Sequence, residues 1–571
     1  MGTKLDPEVL SRVKAWIDGP FDEETKAEIR RLMAQNPGEL SNAFFKDLTF
    51  GTGGMRGIMG IGTNRMNVYT VRMATQGLAN YLKTQAEPEG GYSVFIGYDV
   101  REHSREFAEE SARVLAGNGI FAILSKEICP TPLVSFACRH LGCSAAVMIT
   151  ASHNPPQYNG YKVYWSDGAQ VVSPHDQGII DEVRKVRRIF LGPIDSPRVR
   201  WTGREIDEAY FKELKKLQLR PDLDGKIVKA VYTNLHGTGI RIIPDALQKW
   251  GFAAPLLVEA QISPDGKFTN APSPNPEEEK ALDLGTKQLI QTGSDLLLAT
   301  DPDADRMGVV VLHKGQAVRL SGNQIGCLCL DHICKSLSER NEFPENAGFI
   351  KTIVTTELFK SIATSYGGTS VDVLTGFKYI AETIRQWETS FGGLQYLFGA
   401  EESYGYLFGT FVRDKDSISS CCLVSEAAAA AKTEGETLVD RLHALYRKHG
   451  IHRESLTNLS FSDTAESLKQ VEALMQRLRA RPPRTIGGIP IRSIEDYSDG
   501  SMPLPKSDVL RYFLSDGTKL VIRPSGTEPK IKIYAEVVEA PQEPLERAIR
   551  AADERLKEIT AAFQKECIDL P

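Results

Sequence analysis

Three apolar runs in this chain each stop abruptly at a short polar loop, and that repeated pattern most restricts the folds open to it. Ala145-Ala146-Val147-Met148-Ile149-Thr150 runs into Ala151-Ser152-His153, and Leu296-Leu297-Leu298-Ala299-Thr300 into Asp301-Pro302-Asp303. Gln395-Tyr396-Leu397-Phe398-Gly399 runs into Ala400-Glu401-Glu402-Ser403. Short continuous apolar runs bounded by breakers have the length and character of strands buried on both faces. Further strand patterns at 94–97, 120–124, 227–232, 349–354 and 371–374 alternate with helical stretches, among them one beginning near Ser104 and the amphipathic segment 205–219. Strand–helix–strand order predicts a mostly parallel sheet with helices on both faces. The reading is one α/β unit used three times, each copy donating one loop to a shared cleft at the carboxyl ends of its strands.

The two ends of the chain differ from this middle. Residues 7–35 are polar and helical in pattern, with Asp22-Glu23-Glu24-Thr25 at a helix start. After about Ser460, helical stretches precede a β-rich run in which Asp516-Gly517 marks a hairpin turn between 511–514 and 519–522. That end predicts an α+β domain. With 571 residues the chain exceeds one ordinary core. The divisions that follow are 1–204, 205–322, 323–456 and 457–571.

Composition removes several function classes. Apolar content of 41% and charged content of 25% are those of a soluble globular protein. A net charge of −6 offers no argument for nucleic acid or an anionic membrane as partner. No apolar run approaches the ~18 residues of a membrane span, the first residues lack the apolar core of a secretory signal, and Asp6 spoils a myristoylation pattern. Nine cysteines without a CxxC pair read as buried thiols of a reducing compartment, and the expected location is the cytoplasm.

The loops carry the chemistry. Thr150-Ala151-Ser152-His153-Asn154-Pro155 is either a turn or a serine held rigidly at a strand end with its hydroxyl facing a cleft. In Asp301-Pro302-Asp303-Ala304-Asp305-Arg306, three alternating carboxylates repel one another, and a hard divalent cation would resolve the repulsion. An EF-hand is excluded, because Arg306 and Leu312 stand where that loop needs glycine and glutamate. Magnesium in a site open on one side fits better. The glycine-rich stretch Phe50-Gly51-Thr52-Gly53-Gly54-Met55-Arg56-Gly57 fails the dinucleotide and P-loop patterns. It is either a connection or an anion site of backbone N–H groups plus the Arg56 guanidinium. Arg523-Pro524-Ser525-Gly526-Thr527, with Lys530 and Lys532 behind it, is a hydrophilic turn or a set of donors suited to a phosphate dianion. Gly399-Ala400-Glu401-Glu402-Ser403 offers acceptors and a hydroxyl for a polyol, with Thr375-Gly376-Phe377-Lys378 upstream and Arg413-Asp414-Lys415-Asp416 downstream. A serine, an aspartate triad, a polyol loop and a phosphate clamp together suit phosphoryl transfer on a phosphorylated polyol.

These four motifs, in this order and with Asn159-Gly160-Tyr161-Lys162 after the first, resemble the α-D-phosphohexomutase superfamily, and most closely its bacterial α-phosphoglucomutases. The resemblance runs from Gly51 to about Lys532. It implies three α/β mixed-sheet domains and a C-terminal α+β domain of TATA-binding-protein-like topology around a central cleft. Ser152 would carry the phosphoryl group and, as phosphoserine, join Asp301, Asp303 and Asp305 on Mg2+. Arg56, Lys162 and Arg306 would be active-site cations, His153 would follow the nucleophile, and Lys378 would serve general acid/base chemistry. Thr375, Gly376, Glu401, Ser403 and Arg413 would contact the sugar; Arg523, Ser525, Gly526, Thr527 and Lys532 would hold the distal phosphate. The implied partner is a phosphorylated hexose, with glucose 1,6-bisphosphate as activator and intermediate, and the implied state a monomer or weak dimer. Alternatives within the superfamily are phosphomannomutase and phosphopentomutase. Outside it stand a non-catalytic phosphosugar-binding protein and a magnesium-dependent phosphatase.

Overall fold

The computed structural model describes residues 5–48, 50–51, 54–461, 465–524 and 530–568. The chain divides into two compact units, Met1–Ala317 with Gly405–Leu423, and Val318–Tyr404 with Val424–Pro571.

The first unit opens with three helices, Pro7–Asp18, Glu23–Gln35 and Pro37–Phe44. As the sequence predicts, Asp22 caps the second: its carboxylate accepts from the Thr25 N–H at 2.7 Å. Val9, Val13, Trp16, Ile29, Leu40 and Phe44 form a small core of their own beneath these helices. The large sheet that follows runs, in order, Phe50–Gly51, Gly54–Ile58, Tyr158–Trp165, Ala145–Ile149, Ser93–Tyr98, Phe121–Ser125 and Val199–Thr202. Every residue of Ala145–Ile149 is buried, because strands flank it and helices cover both faces.

The expectation of a mostly parallel sheet needs correction here. Ala145–Ile149 pairs parallel with Ser93–Tyr98, but the strand after the serine loop, Tyr158–Trp165, returns antiparallel beside it, and each of the two strands beyond is antiparallel to its neighbour. A second sheet repeats the arrangement: Leu296–Thr300 lies parallel to Ala230–Thr233 and antiparallel to Met307–His313. The serine and aspartate loops thus connect one strand to its antiparallel neighbour, instead of strand to helix. Residues 227–229 are also not strand; Gly225–Ile227 forms a short 3₁₀ turn before Ala230–Thr233.

Two glycines let the scaffold close around these loops. A Cβ on Gly97 would lie 2.4 Å from Val134 Cγ2, so the bare backbone lets the helix Thr131–His140 pack onto Ser93–Tyr98. A Cβ on Gly237 would lie 2.3 Å from Pro302 Cα, which brings the loop after Ala230–Thr233 directly against the aspartate loop.

In the second unit, Ala347–Thr352 pairs parallel with both Thr369–Val373 and Gln395–Glu401. The helix Gly322–Glu339 starts at a capping box formed by Ser321 and Gln324. The C-terminal part is an antiparallel sheet in the order Ile451–Ser460, Lys530–Glu539, Lys519–Pro524, Leu510–Leu514, Ile489–Asp496, Thr485–Ile486. The helices Ala465–Ala480 and Leu545–Phe563 contribute Leu474, Met475, Leu478, Ile559 and Phe563 to one core with Leu520, Ile522, Ile531 and Ile533 of that sheet. The hairpin expected at Asp516-Gly517 joins Leu510–Leu514 to Lys519–Pro524, with Gly517 at φ +88° as its turn requires. Among the described residues no helix is long and apolar enough to cross a membrane.

Candidate active site

The serine loop and the aspartate loop meet. Ser152 Oγ donates to Asp301 Oδ2 at 2.8 Å and lies 3.3 Å from His153 Nδ1, while the Ser152 N–H donates to Thr150 Oγ1. Ser152 sits at φ +54°, a left-handed conformation that a side-chain-bearing residue keeps only when its surroundings impose it. Both residues are the direct continuation of the buried apolar strands. The sheet therefore fixes where the hydroxyl and the first carboxylate stand.

Asp301, Asp303 and Asp305 are at most 1% exposed. Alternation in the sequence becomes convergence because the loop turns at Ala304, φ +53°, and Asp301 Oδ1 accepts the N–H groups of Asp305 and Arg306. Lys162 Nζ, itself buried, lies 2.8 Å from Asp303 Oδ2 and 3.4 Å from Asp305 Oδ2. Lys415 Nζ lies 3.2 Å from Asp305 and 3.1 Å from Asp414. Thr131, first residue of its helix, donates its hydroxyl to Asp303 Oδ2 and its N–H to the Asp303 carbonyl. Burial and the two neighbouring aspartates push the Asp301 carboxyl well above the carboxylate range. At Asp303 the burial is outweighed by the Lys162 ammonium, and the carboxyl is held far below it.

Guanidiniums complete the surroundings. Arg56 donates to Asn154 Oδ1 at 3.2 Å, and Arg306 donates to Glu277 at 2.6 Å. Burial, then the charges of Arg306 and Arg56, keep the His153 imidazole well below its usual range, so it is neutral at pH 7. Arg413, 2% exposed, donates its backbone N–H to Ser135 Oγ and bridges to Ala169 in the same unit.

The other expected residues lie in the second unit. Glu401 Oε1 accepts the Gly376 N–H at 2.9 Å, so the 375–378 turn and the Gly399–Ser403 loop are tied to each other. Gly376 needs its φ of +120°, and Lys378 lies over the Tyr379 ring in the first turn of Phe377–Thr389. Ser403 is half-buried between Glu402, which accepts from Thr352, and Tyr404. In the C-terminal sheet Arg523 donates to the Tyr534 hydroxyl at 3.2 Å and is in register with Lys532 on the adjacent strand. Ser525, Gly526 and Thr527 lie outside the described residues.

Residues 47–189, 208–315, 321–449 and 456–551 match the phosphoglucomutase/phosphomannomutase families described as alpha/beta/alpha domains I, II and III and C-terminal domain. The chain is 38% identical over 509 residues to a phosphoglucomutase of Staphylococcus haemolyticus, covering 86% of this chain and 90% of that one. It is 37% identical over 542 residues to a phosphoglucomutase of Staphylococcus aureus, covering 91% and 94%. The chain belongs to the phosphoglucomutase/phosphomannomutase family. It is a phosphohexomutase, an isomerase. In fold it is similar to the Paramecium phosphoglucomutase parafusin in its open form (TM-score 0.68, 19% identity, 90% of this chain and 95% of that one). It is also similar to a putative phosphomannomutase of Thermus thermophilus (TM-score 0.66, 24% identity, 90% and 99%).

The triad of this phosphohexomutase fits a divalent metal. Among the described residues it is the one group of three metal-ligating side chains whose ligand atoms converge, within 4.8 Å of one another. Asp303 Oδ1 and Asp305 Oδ1 are buried carboxylate oxygens without a hydrogen-bond donor, a costly state that a cation would relieve. An all-oxygen donor set suits a hard cation such as Mg2+. Sequence reasoning did not find Thr131, Glu277, Asp414 or Lys415 as parts of this site. The sequence places the 413–416 run downstream of the polyol loop and marks only Arg413 in it; that Asp414 and Lys415 are buried beside the triad is decided by the packing.

Proposed function

We propose that this chain interconverts α-D-glucose 1-phosphate and glucose 6-phosphate through a phosphoryl group carried on Ser152, with glucose 1,6-bisphosphate as the intermediate. The observation that carries this reading is the Ser152 hydroxyl 2.8 Å from the buried aspartate triad, in a family whose cited relatives are named phosphoglucomutase. In the first half-reaction the bond between phosphorus and Ser152 Oγ breaks while the sugar 6-hydroxyl oxygen bonds to phosphorus and gives up its proton to Lys378, and Ser152 Oγ takes up one proton in exchange to become the free hydroxyl. In the second, the intermediate has turned over; the bond from phosphorus to the sugar O1 breaks as the 1-phosphoryl passes to Ser152 Oγ, whose proton leaves toward Asp301 Oδ2, the acceptor it already faces, and O1 takes up one proton in its place to become the free 1-hydroxyl. Bound by Asp301, Asp303, Asp305 and a phosphoserine oxygen, Mg2+ would neutralise charge on the transferring group.

The chain's own residues supply the rest. Arg56, Arg306 and Lys162 place cationic charge around the loop. His153, being neutral, orients the hydroxyl without competing for the phosphate as a cation. In this reading Glu401, Ser403, Thr375, Gly376 and Arg413 recognise the sugar. Lys378 exchanges the hydroxyl proton, and Arg523, Lys532 and the 525–527 loop take the second phosphate. The division at 204/205, 322/323 and 456/457 belongs to the same reading.

Intact-mass measurement of the wild type and Ser152→Ala, with and without glucose 1,6-bisphosphate, tests it. One added phosphoryl group, on the wild type alone, is expected, together with loss of mutase activity in the variant. A variant that keeps full activity refutes the phosphoserine route. Comparing kcat/KM for the 1-phosphates of glucose, mannose and ribose tests the substrate, and a ribose preference overturns the choice of hexose.

A further inference from the structure

Behind the serine loop stands a guanidinium that contacts none of the reacting atoms. Arg101 follows the strand Ser93–Tyr98 and is 3% exposed. Its Nη2 donates to the carbonyls of Ser152, at 2.7 Å, and Asn154; its Nη1 donates to those of Pro155, at 2.8 Å, and Tyr158, at 2.9 Å. One planar fork therefore gathers four carbonyls of a seven-residue stretch that contains the left-handed Ser152.

The fork is itself held from two sides. Asp99 Oδ2 lies 3.3 Å from Arg101 Nε, and Asp99 Oδ1 accepts the Arg101 N–H and the Ser104 hydroxyl. The Phe268 ring, fully buried, lies 5.0 Å from Arg101 Cζ. It arrives on a loop whose Gly266 approaches so closely that a Cβ there would meet the Glu102 nitrogen at 2.7 Å. The same segment accepts from the loop's far end, since Asn159 Nδ2 donates to the Glu102 carbonyl and the Ser104 hydroxyl.

We propose that Arg101 is a positioning residue for phosphoryl transfer: by drawing the carbonyls of residues 152, 154, 155 and 158 onto one guanidinium, it imposes the left-handed Ser152 and sets Oγ on Asp301. Four carbonyl dipoles that point at Arg101 are also four that do not point at the phosphate. A lysine keeps the charge but lacks the fork, so it cannot satisfy four acceptors in these directions. The proposal rests on the phosphoserine reading above.

The test compares Arg101→Lys and Arg101→Ala with the wild type on whichever sugar 1-phosphate the wild type turns over fastest. Arg101→Lys is expected to lower kcat about 100-fold, the effect of misplacing a reacting atom by about 1 Å, while KM and the Mg2+ half-saturation stay within about threefold. Methylguanidinium at millimolar concentration is expected to restore part of kcat to Arg101→Ala and none to Arg101→Lys, whose side chain fills the space. A folded Arg101→Lys with kcat within about threefold of wild type overturns the proposal, and so does a rise in KM with kcat unchanged. Should both variants fail to fold, Phe268→Leu decides. It removes only the ring beside the guanidinium and is expected to lower kcat at least about fivefold at constant KM, and an unchanged kcat overturns the proposal. Phosphorylation of wild-type Ser152 by glucose 1,6-bisphosphate, read by mass, tests the phosphoserine reading separately.

Discussion

Gly237→Ala probes the triad without touching a single reactive group. Gly237 has φ −86° and ψ −167°, which alanine adopts freely, so the substitution adds only a methyl group. That methyl would lie 2.3 Å from Pro302 Cα, 2.6 Å from its carbonyl oxygen and 2.8 Å from its carbonyl carbon. Carbon atoms rest about 3.5–4.0 Å apart, so the two loops must separate by about 1 Å or more. Pro302 lies between Asp301 and Asp303, and its carbonyl accepts both the N–H and the hydroxyl of Thr238. The triad loop therefore cannot move away without losing those bonds. Overpacking of this kind is expected to cost about 1–3 kcal/mol of stability. A displacement of about 1 Å at the ligands is expected to lower kcat about 100-fold, and the Mg2+ half-saturation should rise about tenfold or more. Urea unfolding and an Mg2+ titration of the steady-state rate measure the three quantities. Gly38→Ala, where the added Cβ has no neighbour nearer than 3.8 Å, is the control and should leave the rate unchanged. A folded Gly237→Ala with kcat and metal requirement within about threefold of wild type would refute the claim that this close approach sets the triad.

Two further outcomes follow from the buried charges. Lys162→Met leaves Asp303 without its ammonium partner and Asp305 with Lys415 alone, a loss of about 3–5 kcal/mol for a broken buried pair. Its melting temperature should fall most in the absence of metal, and added Mg2+ should raise it by more than in the wild type; an equal or smaller rise contradicts the pairing argument. In the second unit, His452 Nδ1 lies 2.8 Å from Glu536, whose other oxygen lies 2.9 Å from Lys519 Nζ. Burial would lower the His452 imidazole, but the bond and charge of Glu536 prevail and raise it; at Glu536 burial is likewise outweighed, by Lys519 and His452, and its carboxyl is held at about 2. The histidine's contribution is full below its unfolded pKa of about 6.5 and is lost as pH rises through the raised folded value. The glutamate's is full above its unfolded value of about 4.3 and is lost as pH falls toward about 2. His452→Gln should therefore cost more stability in urea at pH 6 than at pH 8.5, and an equal cost at both contradicts the assignment.

Much of this site was legible before any coordinate, and for a physical reason. A strand buried on both faces must be apolar throughout, so Ala145–Ile149 and Leu296–Thr300 announce themselves, and whatever polar residues follow them are held at a strand end. Three alternating carboxylates that repel one another point to a cation from the residues alone, whereas the pairing of that cation with Ser152 was what the family resemblance implied. Tyr158–Trp165 was missed as the antiparallel return strand because its alternating aromatic and polar residues lack the apolar continuity of its neighbour, although it carries Lys162.

The sequence by itself determined the α/β class, the strand ends that bear Ser152 and the aspartates, and the set of chemistries those residues could perform. These depend on local patterns: apolar runs, turn residues, carboxylate spacing. Only the tertiary structure decided that Ser152 is left-handed, that Arg101 gathers the carbonyls behind it, and that Thr131, Lys162 and Lys415 share the triad's charge. Thr131 and Asp303, or Asp305 and Lys415, are more than a hundred residues apart in sequence. Their contact depends on how closely helices and loops pack, which is set by the volume left at Gly97 and Gly237 and by the burial of neighbours, quantities that no local pattern encodes.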